Sequence, residues 1–153
     1  MHSTIRRKAF LILAALASII LATQTALTVQ RPPLPNPVLY FVGQEPYTTG
    51  GKQFMRYRFM VENSSAYPNE LFAAAPDLPP CGNNTKSART WVEIYQQDGK
   101  RLNAFCAFGK SADLNEIWFS LDPEAVPPSW VYIELNDRKT NTKYKSNLAD
   151  TTL

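Results

Sequence analysis

Histidine is almost missing from this chain of 153 residues: there is one, His2. Without a further imidazole, Ser-His-Asp and Cys-His nucleophilic arrangements have no base, and histidine-dependent zinc sites have too few ligands. Glycine totals six, with no Gly-rich phosphate loop among them. A basic surplus is missing too. The net charge of +3 equals the contribution of Arg6, Arg7 and Lys8, and setting these aside leaves 13 basic against 13 acidic residues. Phosphate recognition needs Lys and Arg collected in excess on one face. No nucleic-acid partner is therefore expected, and no cofactor or metal. The longest apolar run, Ala9 to Ala22 broken only by Ser18, falls short of the roughly 20 residues that cross a bilayer as a helix.

That run follows Arg6-Arg7-Lys8 and precedes Thr23-Gln24-Thr25, so residues 1–26 read as a secretory signal peptide. A second reading stays open. Ile20 and Gln24 stand third from the end of the two candidate cleavage sites, where small residues are wanted, and Leu27 and Val29 would extend the run into an uncleaved anchor. Residues 27–37 hold four prolines and predict an extended spacer. Residues 38–148 suffice for one domain, with 149–153 left as a tail. The expected location is exported, meaning periplasmic, cell-surface or secreted. Membrane contact is expected only through the N-terminal segment, if it is uncleaved.

Within 38–148 the dominant period is two. Tyr57, Phe59 and Val61 alternate with Arg56, Arg58 and Met60; Val92 and Ile94 alternate with Trp91, Glu93 and Tyr95; Val131, Ile133 and Leu135 alternate with Trp130, Tyr132 and Glu134. Gln97-Asp98-Gly99-Lys100 predicts a hairpin turn whose returning strand carries Leu102, Ala104, Cys106 and Phe108 on one face. Ser111 is a candidate cap for one helical turn over 111–116, followed by a strand over 117–121. With Val38–Val42 and a closing strand at Tyr144, about seven strands result. The fold class predicted is all-β, a single sandwich of immunoglobulin or fibronectin type III kind. Tyr132 is out of phase with the residues buried beside it, which departs from a tyrosine corner.

Cys106 and Cys81 are the only cysteines. In an oxidising compartment they are expected to pair, stapling the loop from Ala75 to Thr85 to the core, since a metal or a catalytic thiol would want histidine. Paired carboxylates are the remaining catalytic option. Glu93 and Glu134 occupy equivalent positions on two strands and suit a glycoside hydrolase only if they share a cleft; as solvated strand residues they need no such role, and the chain is not expected to be an enzyme. Asp137 and Arg138 read as a surface turn.

The strings Pro79-Pro80-Cys81-Gly82, Ser87-Ala88-Arg89-Thr90-Trp91-Val92, Phe105-Cys106, Asp113-Leu114-Asn115-Glu116-Ile117-Trp118-Phe119, Asp137-Arg138 and Ser146-Asn147 resemble those of small exported bacterial proteins without an assigned activity. The resemblance implies a bacterial periplasm or cell surface, and makes the sequon at Asn63 a plain polar loop. It carries over no site residue.

The candidate binding face is the pair of patterns Trp91-x-Glu93-x-Tyr95 and Trp130-x-Tyr132-x-Glu134, which set aromatics and carboxylates opposite the aliphatic face, with Tyr144 joining them. Such a face suits a glycan or a protein partner of the cell envelope. A non-catalytic binding or structural module is the expectation. The alternatives are a periplasmic protein inhibitor or assembly subunit, using the stapled loop or a sheet edge, and a carboxylate-based hydrolase.

Overall fold

The computed structural model describes residues 33–81, 86–107 and 109–152. The leader, most of the spacer and Phe108 lie outside these residues. Leu34–Leu153 form one compact unit, and its start is pinned by side chains. The Tyr67 hydroxyl donates to the Pro35 carbonyl at 2.7 Å, and the Asn63 amide donates to the Asn36 carbonyl while accepting from the Val38 N–H at 2.9 and 2.8 Å. The end of the expected spacer is thus docked on the domain, and Asn63 holds it there rather than lying idle in a loop.

Among the described residues eight strands follow in two antiparallel sheets: β1 (Leu39–Thr49), β2 (Lys52–Val61), β3 (Thr90–Gln96), β4 (Arg101–Ala107), β5 (Ile117–Leu121), β6 (Trp130–Asp137), β7 (Thr142–Lys145) and β8 (Ala149–Asp150). One sheet has the order β1-β2-β5; the other runs β4-β3-β6-β7, with β8 also paired to β6. The only helical elements among the described residues are 3-10 turns at Ser64–Ala66, Asn69–Phe72 and Ser111–Asn115.

The alternation explains the core. Tyr57, Phe59 and Val61 of β2 are buried, as are Ile117 and Phe119 of β5, Val92 and Ile94 of β3, and Val131, Ile133 and Leu135 of β6. These residues make one cluster between the sheets. Phe119 stacks on Tyr57 and Phe59 with centroids 5.0 and 5.7 Å apart. In the β3–β6 pairing Ile94 stands opposite Ile133 and Val92 opposite Leu135, which sends Trp91, Glu93 and Tyr95 to the outer face together with Tyr132 and Glu134.

Several expectations need correction. β1 does not stop at Val42: a bulge between Phe41 and Gly43 carries it on to Thr49, and Gly50-Gly51, both at positive φ (55° and 75°), close a two-residue hairpin into β2. The supposed tail at 149 contributes β8, pairing Ala149 with Val131. Lys110, not Ser111, caps the 3-10 turn, and its N–H donates to Asp113 at 3.1 Å. The phase of β4 is inverted. A bulge after Ile94 pairs Tyr95 with Arg101 and leaves Leu102 as the extra residue, so Asn103, Phe105 and Ala107 stand opposite the inward Ile94, Val92 and Thr90, while Ala104 and Cys106 face outward. One inserted residue exchanges the two faces of a strand.

Side-chain amides bridge the open sides of the two sheets. On one side Asn103 of β4 donates from Nδ2 to the Trp118 carbonyl of β5 at 2.9 Å. On the other, Asn147 accepts from the Leu39 N–H and donates to the Leu39 carbonyl, at 2.7 and 3.0 Å. At one end of β6, Asp137 is buried and receives Arg89 as a fork, Nε to Oδ1 at 2.9 Å and Nη2 to Oδ2 at 2.6 Å. Asp137 is therefore not part of a surface turn, and its partner is Arg89 rather than Arg138.

Two predictions follow from this packing. Ile94→Ala and Ile133→Ala should each lower the unfolding free energy by about 2–5 kcal/mol in urea titrations, as cavities open in the core. Burial would raise the Asp137 carboxyl, but the hydrogen bonds from Arg89, Thr140 and the Lys139 N–H outweigh it and hold it below the ordinary carboxylate value. A depressed folded-state value means stability that is present above the unfolded-state value of about 4 and is lost as pH falls through the folded one. The wild type should thus lose stability more steeply than Asp137→Asn below about pH 4; parallel profiles for the two proteins would contradict this.

Candidate functional site

The outer face of the β4-β3-β6-β7 sheet carries most of the residues singled out in the sequence, and it divides into three zones. At one end Trp91 lies opposite Cys106 in the β3–β4 register and packs against Cys106, Cys81 and Ala88. Cys81 and Cys106 form a disulfide. Because Cys106 faces outward, the bond ties the loop across the outer face of the sheet instead of into the core. Arg138 secures the same loop, donating to the Pro79 and Ala88 carbonyls at 2.6 and 3.0 Å, with the Cys81 sulfur also in its reach. Trp91 is thereby partly covered and removed from any continuous aromatic face.

In the middle zone Glu93 and Glu134 stand directly opposite each other. Each has its own cation: Arg101 Nη1 lies 3.1 Å from Glu93 and Lys143 Nζ 3.0 Å from Glu134. The hydrogen bond to Glu134, followed by its charge, raises the Lys143 ammonium above its ordinary value. The result is a row across four strands in which the two carboxylates are flanked on either side by a cation, which offsets the like-charge conflict of their facing each other.

The third zone is aromatic. Tyr95 and Tyr132 are cross-strand partners, and their rings stack with centroids 5.2 Å apart and planes 16° from parallel. The Lys145 ammonium caps the Tyr132 ring at 3.9 Å. Tyr132 is only 7% exposed. Burial, and then the neighbouring Glu93 carboxylate, push the Tyr95 hydroxyl above its ordinary value. These two rings satisfy one another. Trp130, at the end of β6, is 39% exposed; it walls an open groove of about 410 Å³ with Gln96, Gln97, Asp98, Pro128 and Ser129. Asp98 is held in place by Gln96 Nε2 at 2.7 Å and by the Lys100 N–H at 2.9 Å.

Tyr144 does not belong to this face. It pairs with Leu135, hence points to the same side as Leu135, and meets Tyr67 edge-on with centroids 6.4 Å apart against the core. Its neighbours Lys143 and Lys145 take the outward positions instead. The sequence reading missed them, together with Gln96, Gln97 and Asp98 of the hairpin turn; the alternation of Lys143 and Lys145 about Tyr144 was the available signal.

A second cluster, on the outer face of the other sheet, was also missed. The rings of Tyr47 and Trp118 meet at a tilt, with centroids 5.7 Å apart, and Arg56 packs against both, its guanidinium carbon 3.7 and 4.7 Å from their centroids. Trp118 alternates with the buried Ile117 and Phe119 just as Arg56 does with Tyr57, but Tyr47 lies past Pro46 on a stretch that shows no alternation.

Compared with protein-family models, with curated proteins and with solved structures, the chain matches none.

Replacing both cysteines by alanine should cost about 3.5 kcal/mol, the chain-entropy value for a loop of this span. Trp91, which packs on the bond, should shift its fluorescence on reduction, and an unchanged urea midpoint after reduction would contradict this account.

Proposed function

We propose that this chain is an exported, non-catalytic carbohydrate-binding module of the bacterial cell envelope, built as a fibronectin type III-like sandwich. The strand order supports the fold reading. The third and sixth strands are sheet neighbours with the seventh beside the sixth, and the first, second and fifth form the other sheet, the arrangement of strands C, F, G and A, B, E in sandwiches of this kind. The fourth strand sits beside the third rather than the fifth. Export is supported by the basic, apolar N-terminal segment and by the Cys81–Cys106 bond, which persists in an oxidising compartment.

The observation that carries the binding reading is the half-exposed Trp130 on an open groove of amide and carboxylate side chains. A sugar ring offers an apolar face for the indole and hydroxyls that both donate to and accept from Gln96, Gln97 and Asp98. An open groove suits a stretch of polysaccharide better than an enclosed small molecule. Hydrolysis is disfavoured because Glu93 and Glu134, the only facing carboxylates considered for it, are each neutralised by a separate cation on a packed sheet face. The inhibitor or assembly-subunit reading draws on the loop fastened by Arg138 and the disulfide, since a preordered loop loses little entropy on docking.

A glycan array probed with the mature domain tests the proposal. Trp130→Ala should abolish the array signal while changing stability by no more than about 0.5 kcal/mol, the range of surface sites. Binding of no glycan by folded protein, or undiminished binding by Trp130→Ala, would refute it.

A further inference from the structure

On the outer face of the β1-β2-β5 sheet, far from the Trp130 groove in the pairing order, Glu45, Arg56, Arg58, Glu116, Ile117 and Trp118 line a recess of about 220 Å³. The register brings them there. Glu45 stands opposite Arg56 across β1–β2, and Arg58 opposite Trp118 across β2–β5. The two guanidinium groups approach the Glu45 carboxylate, each at 3.5 Å, well beyond the roughly 2.7–2.9 Å of a strong charge-assisted bond. Glu116 adds a second carboxylate that makes no ion pair among the described residues.

Donors are in excess. Each guanidinium carries five N–H groups, whereas Glu45 is the only side-chain acceptor for either Arg56 or Arg58 among the described residues. The Nε of Arg56 is buried without any partner there. That atom is closed to the recess, so the donors open to a ligand are the terminal nitrogens of the two arginines. Arg56 is also held in place, because its guanidinium packs against Tyr47 and Trp118, whose rings meet each other at 5.7 Å, while the Arg58 side chain is 48% exposed and free to close on a ligand.

We infer that this recess binds an acidic sugar residue of the hexuronate class. The sugar carboxylate accepts from the terminal nitrogens of Arg56 and Arg58, its hydroxyls donate to Glu45 and Glu116, and its ring lies along Trp118. A simple anion would satisfy the arginines but face the two carboxylates with nothing to donate, and a neutral sugar would offer the arginines only uncharged hydroxyl acceptors, weaker than a carboxylate. The inference does not depend on the Trp130 groove, which lies on the other sheet.

The test uses the folded domain with digalacturonate as probe, cellobiose as neutral disaccharide and acetate as bare anion, read by the NMR shift of the Trp118 indole N–H and by titration calorimetry. Digalacturonate should move the Trp118 signal and bind at least about tenfold more tightly than either control, the scale of a charge-assisted hydrogen bond. Arg58→Gln should weaken that binding by a similar factor of about ten at an unchanged melting temperature. Trp130→Ala should leave it intact, so that failure here and failure of the groove reading are told apart. Cellobiose or acetate binding as tightly as digalacturonate, no Trp118 shift at millimolar probe, or full binding by Arg58→Gln would each overturn the inference.

Discussion

The antiparallel register of β3 against β6 is the constraint on which the remainder of the domain rests. Setting Ile94 opposite Ile133 and Val92 opposite Leu135 gives the larger sheet an aliphatic face, against which Phe59, Ile117 and Phe119 of the other sheet pack. Slip β3 by one residue against β6 and Trp91, Glu93 and Tyr95 would turn into the core. The free energy of burying those side chains therefore selects the register, and with it the composition of the outer face. Facing glutamates and stacked tyrosines are consequences of this choice, and the flanking Arg101, Lys143 and Lys145 make it tolerable.

Around this pair the domain closes by polar means. A two-sheet structure of this size leaves strand edges unpaired, a liability for association. Asn103 and Asn147 each lend a side-chain amide to a neighbouring sheet edge, at Trp118 and at Leu39, and Ser146 accepts the Ile133 N–H at 2.9 Å where β7 gives way to β8. The buried fork of Arg89 on Asp137 plays a similar part at one end of β6. These contacts leave the two outer faces free to differ. One bears a loop bound down by a disulfide and a groove beside Trp130, and the other bears the Arg56 cluster.

The strands that the sequence revealed were those with clean alternation. β2, β3, β5 and β6, and the turn at Asp98-Gly99, could all be located, as could the pairing of Cys81 with Cys106. β1 was read short because Gly43 and Pro46 look like breakers, whereas a bulge and an edge position accommodate them. Within the candidate site, the outward phase of Trp91, Glu93, Tyr95, Trp130, Tyr132 and Glu134 was legible. Their exposure was not. Whether an outward aromatic is open depends on what lies over it: a loop 10 residues earlier for Trp91, a stacked ring and an ammonium group for Tyr132, and little for Trp130.

By itself the sequence determined the all-β class, the faces of the alternating strands and the lack of histidine-based chemistry, because period two and composition are local properties of the chain. The tertiary structure alone decided which face carried the disulfide, that Tyr144 turned inward, and that Arg56 came to rest against Tyr47 and Trp118. Tyr144 and Arg56 are placed by the strands they pair with, and the disulfide by the bulge between β3 and β4. A bulge costs one residue and leaves no distinct mark in composition, yet it exchanges the two faces of everything beyond it. Only the contacts made by a partner strand fix where it falls.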